Sequence, residues 1–564
     1  MRSPSDQSQS RRILLIVAPL ATVMITPWMS YDPINIPKMG VIVVCAFILL
    51  ALGLQNFRVW IQPRYRLIVA ASTFFGFDLL LVLLIKASPL EEHFFGTYGR
   101  NTGFLAYLSL LILFATSATA LDLNTVERLL WILVGTGGIS AIYGFLQSLR
   151  LDPFHWVNPY SPVFGFLGNP DFLSTFLGMC GIAAAALLAL EGQSRKLRGV
   201  LGVYLAFIVY IVVKTQAQQG FFVLAAGIAV VLYLYMLKNK RFRRFHIPYL
   251  ILSAIATALV ALGSLSKGPL AHHLYKLSVT YRGDYWRAGW KMTIQHPLTG
   301  VGLDSYGDWY RASRTLAATL RRGPDLVSNA AHNVLLDFSS NGGFPLLIAY
   351  LLIVGLSLRS AIRVIRRNQG FNAIHAGIFG VWVGYQAQTL ISVNQLGLAV
   401  WGWIFSGALI AYDINSRPSE EVTGYSKRKA KRSKGRNVKV ETSSSATSLV
   451  VFAGLAVGLA LALPPFITDA KFREGLLSGS AQDLKAGAIR WPVDAYRMTQ
   501  AVQVMDRSKL PTWALDLAEI AAKQNPRAFD AWREIYFNAG SNLSEKADAL
   551  RHMKILDPHN PILK

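Results

Sequence analysis

The chain has 564 residues, 53% of them hydrophobic and only 15% charged, with a mean hydropathy of +0.37, a balance that excludes an ordinary soluble domain and indicates a polytopic membrane protein. Its 56 Lys and Arg against 31 Asp and Glu give a net charge of +25; in a membrane protein this excess marks cytoplasmic loops and lipid headgroups, and the absence of a basic and aromatic recognition module argues against a nucleic-acid partner. Cys45 and Cys180 both sit in apolar runs, which leaves neither a disulfide framework nor a thiolate metal site and makes them packing residues.

From the N-terminus, "MRSPSDQSQSRRILLIVAPLATVMITPWM" has a basic flank and an apolar core but no small-residue cleavage site, so it reads as a first span that stays in place. Apolar runs of bilayer length predict thirteen spans, at 12–30, 37–54, 67–86, 103–121, 127–147, 170–190, 198–214, 220–237, 248–265, 343–359, 374–393, 397–413 and 448–466. With the N-terminus in the cytoplasm, the basic stretches "NFRVWIQPRYR", "SRKLRG", "KNKRFRRFH", "RSAIRVIRR" and "SKRKAKRSKGRNVK" all fall on the inner side. The outer side then carries 87–102, 148–169, the turn "VKTQAQQG", the long loop 266–342 and everything after 466.

That loop is too long for a connector and too polar for a span. In "YRGDYWRAGWKMTIQHPLTGVGLDSYGDWYRASR", Tyr281, Tyr285, Trp286 and Trp290 recur at helical spacing and leave Arg282 and Arg287 among aromatic faces, which predicts a helix along the membrane interface. "HPLTGVG" is a Pro and Gly turn that ends this helix, with His296 as a capping or packing group. "SNAAHNVLLDFSSNGGF" then places His332 and Asn333 at the start of the next span, with Asp337 little more than a helical turn away.

The segment 416–447 is polar and basic and reads as a disordered cytoplasmic linker beside anionic lipid. Beyond the last span, residues 467–564 form a separate helical unit in which Pro492, Pro526 and Pro558 recur near the 34-residue tetratricopeptide period, with "DAY" and "DAW" after the first two. So short a repeat is expected to lean on the membrane domain of residues 1–415 or on a protein partner.

The order of "R-x-x-x-W", "HPL-x-GVG" and "HN-x-LL-x-x-x-x-NGG" behind many spans and one long external loop resembles the O-antigen ligase and polymerase superfamily, over roughly residues 60–415 and most strongly from Arg282 to Gly343. The resemblance implies an all-α polytopic membrane glycosyltransferase without metal or other cofactor. It implies transfer of a glycan from undecaprenyl diphosphate, with inversion, to a lipid, glycan or protein acceptor at the outer face of the bacterial cytoplasmic membrane. In that frame Arg282 and Arg100 match family arginines and would hold the diphosphate, a role suited to the planar guanidinium fork. His332 matches the family histidine and would either take the acceptor's proton or position a substrate, with Asn333 or Asp337 orienting its ring. Arg287 is a further candidate contact. Where relatives have an arginine before glycine, this chain has Gln219 before Gly220, which leaves any charge there to Lys214. A transporter or flippase of the same lipid-linked glycans is the non-enzyme alternative.

Overall fold

The computed structural model describes residues 4–86, 89–154, 156, 161–274, 277–417 and 444–563; the expected linker lies almost wholly outside them. No strand occurs among the described residues. The membrane part runs α1 (Pro4–Val23), α2 (Asn35–Gln55), α3 (Arg66–Ile85), α4 (Leu90–Phe95), α5 (Phe104–Ala120), α6 (Leu123–Ser148), α7 (Pro170–Leu188), α8 (Arg195–Lys214), α9 (Gln219–Lys238), α10 (His246–Ser264), α11 (Ala271–Leu274), α12 (Leu277–Gln295), α13 (Tyr306–Ser313), α14 (Leu316–Arg322), α15 (Val334–Arg367), α16 (Ala373–Thr389) and α17 (Leu396–Asn415). After the linker come α18 (Ser444–Ser478), α19 (Ala481–Ala488), α20 (Ala495–Arg507), α21 (Pro511–Gln524), α22 (Phe529–Phe537) and α23 (Leu543–Leu556).

Ten of the described helices are long and apolar enough to cross a bilayer, and α5 is a shorter apolar one. The first and eleventh predicted spans fall on α1 and α16, which are helices without that length and hydropathy. The first span is also displaced. It was expected to reach residue 30, but the helix ends at Val23 because the buried Lys38 ammonium donates to the carbonyls of Thr22 (2.7 Å) and Met24 (3.0 Å), completing the helix end in place of another turn.

Two of the basic loops expected on one side meet at one end of the bundle. Among the basic ones, Lys238 donates to the Asn368 carbonyl (2.7 Å) and Arg367 pairs with Asp413 (3.0 Å). At the same end Arg11 reaches the Ala120 carbonyl (2.8 Å) and Asn415 the Leu121 carbonyl (2.9 Å). The central helices bury most of their surface in one apolar core that includes Phe75, Phe114, Phe176, Trp401 and Trp403, whereas α10 touches little beyond its neighbours in sequence.

Two glycine-bearing motifs are explained by a single backbone clasp. The turn after α12 lies against a break in α15, where Val301 N–H donates to the Ser340 carbonyl (2.8 Å), Gly302 N–H to Asn341 (3.1 Å) and Phe344 N–H to Pro297 (2.8 Å). At the break Gly343 adopts φ 75° and ψ −175°, a conformation open essentially to glycine alone. A Cβ there would sit 2.6 Å from the Leu298 carbonyl carbon, and one on Gly300 would sit 2.3 Å from that of Asn341. Gly343→Ala is therefore expected to destabilise the protein by at least about 1–3 kcal/mol, read as a fall in the midpoint of thermal unfolding in detergent; an unchanged midpoint would refute the clasp.

The C-terminal helices pack in sequence order, α20 on α21, α21 on α22 and α22 on α23, around a small core of Met498, Leu517, Ala518 and Ile535. This unit does lean on the membrane part. Asp557 accepts from Arg314 (2.6 Å) and Arg311 (3.3 Å) of the long loop, while Asn525 donates to both Glu92 (3.0 Å) and Asp308 (2.9 Å).

Candidate active site

The end of the bundle opposite the basic loops holds a cavity of about 790 Å³. It is walled by segments far apart in sequence: the start of α7, the α8–α9 turn, α12, the α14 end with the Val327–His332 segment, and the C-terminal unit. This size suits an organic ligand rather than a single small ion.

The inner wall is cationic and aromatic. Helix α12 buries Asp284, Tyr285, Ala288, Gly289 and Met292 on one face and exposes Arg287 and Trp290 on the other, which splits the expected aromatic set between its two faces. Tyr281, Arg282 and Tyr285 reach the cavity from this helix. Arg282 lies 3.8 Å from Asp171, a loose ion pair, and burial lowers its pKa against the opposing pull of that carboxylate. Arg322 joins it from α14, with its guanidinium 4.4 Å above the Tyr281 ring and a hydrogen bond to the Tyr285 hydroxyl.

His332 completes this wall. Its backbone is left-handed, with φ 52°, and its ring stacks on Tyr285 with centroids 5.3 Å apart. The ring makes no hydrogen bond or ion pair with any described residue. Burial and the nearby Arg282, Arg100 and Arg322 charges lower its pKa to about 3, so the imidazole is neutral near pH 7 and its lone pair is available.

The other predicted site residues lie elsewhere. Arg100 is committed to the fold: it pairs with Asp304 (3.2 Å) and donates to the Asn329 carbonyl (2.7 Å), and it does not line the cavity. Asp304 also accepts from Thr97 N–H (2.9 Å) and the Thr102 hydroxyl (2.9 Å), so this ion pair fastens the loop before α5 to the long loop. Lys214 is exposed and rests over Tyr210 (5.3 Å), and Gln219 is buried behind the turn. Neither faces the cavity, where Thr215, Gln216 and Ala217 stand instead. Arg287 points away from it and pairs with Asp284 (3.3 Å).

Asn333 and Asp337 make no hydrogen bond to the His332 ring. Asn333 caps α15 by accepting from Leu336 N–H (3.1 Å) and donates to the Leu390 carbonyl (3.0 Å). Asp337 accepts from Ala331 N–H (2.7 Å). Both shape the backbone that presents His332, and Tyr285 fixes the ring. His296 meets Trp309 edge to face (4.8 Å), the packing role expected of it.

Sequence reading missed Arg322 and the cavity-facing part of the C-terminal unit. Arg322 ends the short helix "LAATLRR", where a double arginine looks like an ordinary helix C-terminus.

Residues 203–351 match the family model described as O-antigen ligase. The match runs from within α8 to the middle of α15, so it contains Arg282, Arg322 and His332 but neither Arg100 nor the C-terminal unit. No curated protein matches the chain. The match supports the superfamily and a membrane glycosyltransferase type of activity, with lipid-linked glycan and acceptor as its substrates in principle.

Proposed function

We propose that this protein transfers a glycan from undecaprenyl diphosphate to a lipid, glycan or protein acceptor at the outer face of the bacterial cytoplasmic membrane. The observation that carries this reading is one cavity wall on which Arg282 and Arg322 stand beside the unpaired imidazole of His332. The acceptor hydroxyl attacks the anomeric carbon, its proton passes to an imidazole nitrogen of His332, and the bond from that carbon to the diphosphate oxygen breaks. Attack opposite the leaving group inverts the centre. Arg282 and Arg322 bind the diphosphate and offset the charge that grows on it as it leaves.

In this reading the cavity end faces outward, the N-terminus and basic loops face the cytoplasm, and residues 1–415 are the membrane enzyme. The helices after residue 467 are a tetratricopeptide-like unit, a description supported by their pairing in order. A flippase is disfavoured, since its polar site belongs at mid-membrane depth and this cavity lies at the helix ends. Purified protein in liposomes, given lipid-linked glycan and acceptor, should move glycan onto the acceptor in the same leaflet; translocation of the lipid without transfer would overturn the proposal.

The low basicity of His332 sets a pH dependence. The base form exists above its pKa and is lost as pH falls through it, so the free enzyme keeps it far below the usual histidine value of 6.5. The pH profile of kcat/KM, which reports the free enzyme, should therefore show no acidic limb from His332 between about pH 5 and 7. Burial is the larger cause of the depression and persists in the complex, but a bound diphosphate offsets the arginine charges that add to it, so the limb of kcat should lie higher than that of kcat/KM. Initial rates of transfer across this range check both; a histidine limb near 6.5 in kcat/KM would contradict the assignment.

A further inference from the structure

We propose that the C-terminal unit forms the sugar-binding wall of the transfer cavity, with Tyr496 as its principal contact to the glycan. The inference rests on the transferase reading for the identity of the ligand and goes beyond it in assigning the wall outside the matched segment.

The placement comes first. Tyr496, Thr499, Asn525, Phe529 and Asp530, all from the C-terminal unit, line the same cavity as Arg282 and His332. They therefore face any molecule whose diphosphate lies against the arginines.

The chemistry of the two walls differs. On the C-terminal side the cations are already engaged: Arg311 pairs with Asp557 (3.3 Å) and Asp530 (3.7 Å) and lies over Phe529 (4.0 Å), and Arg527 lies over Trp309 (3.5 Å). This side thus has no loose guanidinium comparable to Arg282 to offer a phosphate. What remains is a tyrosine ring, a threonine and carboxylate oxygens. Tyr496 is 50% exposed, and its hydroxyl has no hydrogen-bond partner among the described residues. An aromatic face beside neutral and acidic acceptors suits a neutral polyhydroxyl ligand, whose C–H faces stack on the ring and whose hydroxyls donate to the oxygens.

The joint holding the wall is also more specific than a tether requires. Helix α18 already connects the unit to the bundle covalently. Yet buried polar groups fix its register: Glu92 accepts from Ala495 N–H (2.8 Å) and from Asn525 (3.0 Å), and Asp494 accepts from Tyr98 N–H (3.0 Å). Buried charged groups add little net stability but specify one arrangement, and the arrangement specified here sets Tyr496 at the cavity beside Ala495.

The test uses the full-length protein in lipid nanodiscs and three probes: undecaprenyl diphosphate, the lipid-linked glycan extracted from cells that make the protein, and the same glycan released from its lipid. Tyr496→Ala is expected to weaken binding of the lipid-linked or the released glycan at least about fivefold, as loss of one aromatic contact implies, and to leave undecaprenyl diphosphate unchanged. Loss on the lipid-linked probe alone assigns the wall to the donor, and loss on the released glycan assigns it to the acceptor as well. Tyr496→Phe, which keeps the ring, should retain more than half of the binding energy if stacking dominates. Equal weakening of all three probes, or of none, would overturn the proposal. Arg282→Ala and Arg322→Ala are the parallel controls: if the double variant leaves undecaprenyl diphosphate binding intact, the transferase reading fails independently of the wall.

Discussion

Replacing His332 with asparagine should lower kcat/KM for glycan transfer by about 10²- to 10⁴-fold, the contribution of a positioned general base, while thermal unfolding stays within about 1 kcal/mol of the parent. Asparagine is the informative choice because His332 has φ 52°, and asparagine tolerates left-handed backbone better than alanine. The surrounding loop should hold its shape, since Asp337 fixes Ala331 N–H (2.7 Å) and Asn333 caps α15. Asparagine keeps a hydrogen-bonding side chain but has no basic nitrogen. Stopped-time transfer assays on purified protein decide the matter: a loss under tenfold would make His332 a positioning group and remove the proton transfer assigned to it.

Arg282→Ala is expected to cost about 10²- to 10³-fold in kcat/KM, the range found when one charge-stabilising donor is deleted from an active site. Arg282→Lys should recover only part of this, because an ammonium cannot reproduce two parallel hydrogen bonds to a phosphate. The contrast with Arg100 explains why Arg282 carries the larger kinetic effect. Arg282 has one loose partner at 3.8 Å, whereas Arg100 is held by Asp304 at 3.2 Å and by the Asn329 carbonyl at 2.7 Å. An arginine bound that firmly to its own protein has little left for a ligand. Parallel rates for Arg282→Ala and the parent protein would remove the diphosphate role from this residue, and Arg322 would be the next guanidinium to test on the same wall.

Several features were legible in the sequence because they depend on local pattern or bulk composition. Apolar runs located the membrane helices, since a span needs only length and hydropathy. Lysine and arginine in alternate loops sorted the loops into two ends; two of the basic loops meet, and segments expected on the other side line one cavity. The periodicity of Tyr281, Tyr285 and Trp290 gave the helix that carries Arg282, and "HPLTGVG" marked the turn that ends it, whereas the break at Gly343 appeared only in the structure.

Partnership between distant segments was decided only by the tertiary structure. Nothing near Arg100 in sequence shows that Asp304 lies against it across 204 positions, so an arginine before a span looked like a free anion contact. Nothing in "LAATLRR" shows that Arg322 comes to rest on Tyr281. Asn333 and Asp337 had the right spacing to reach a neighbouring ring, but helix capping and a backbone amide claimed them first, because an unsatisfied N–H at a buried helix start is costly. The C-terminal unit could be seen to be helical from its own residues, yet its place over the cavity depends on Glu92, Asp308 and Arg314, which belong to other loops. The sequence by itself thus determined the all-helical, membrane-spanning character of the chain and supplied candidates for the site, since these follow from properties of adjacent residues. Which of those residues remain available to a ligand was set by long-range hydrogen bonds and ion pairs, which exist only once the chain has folded.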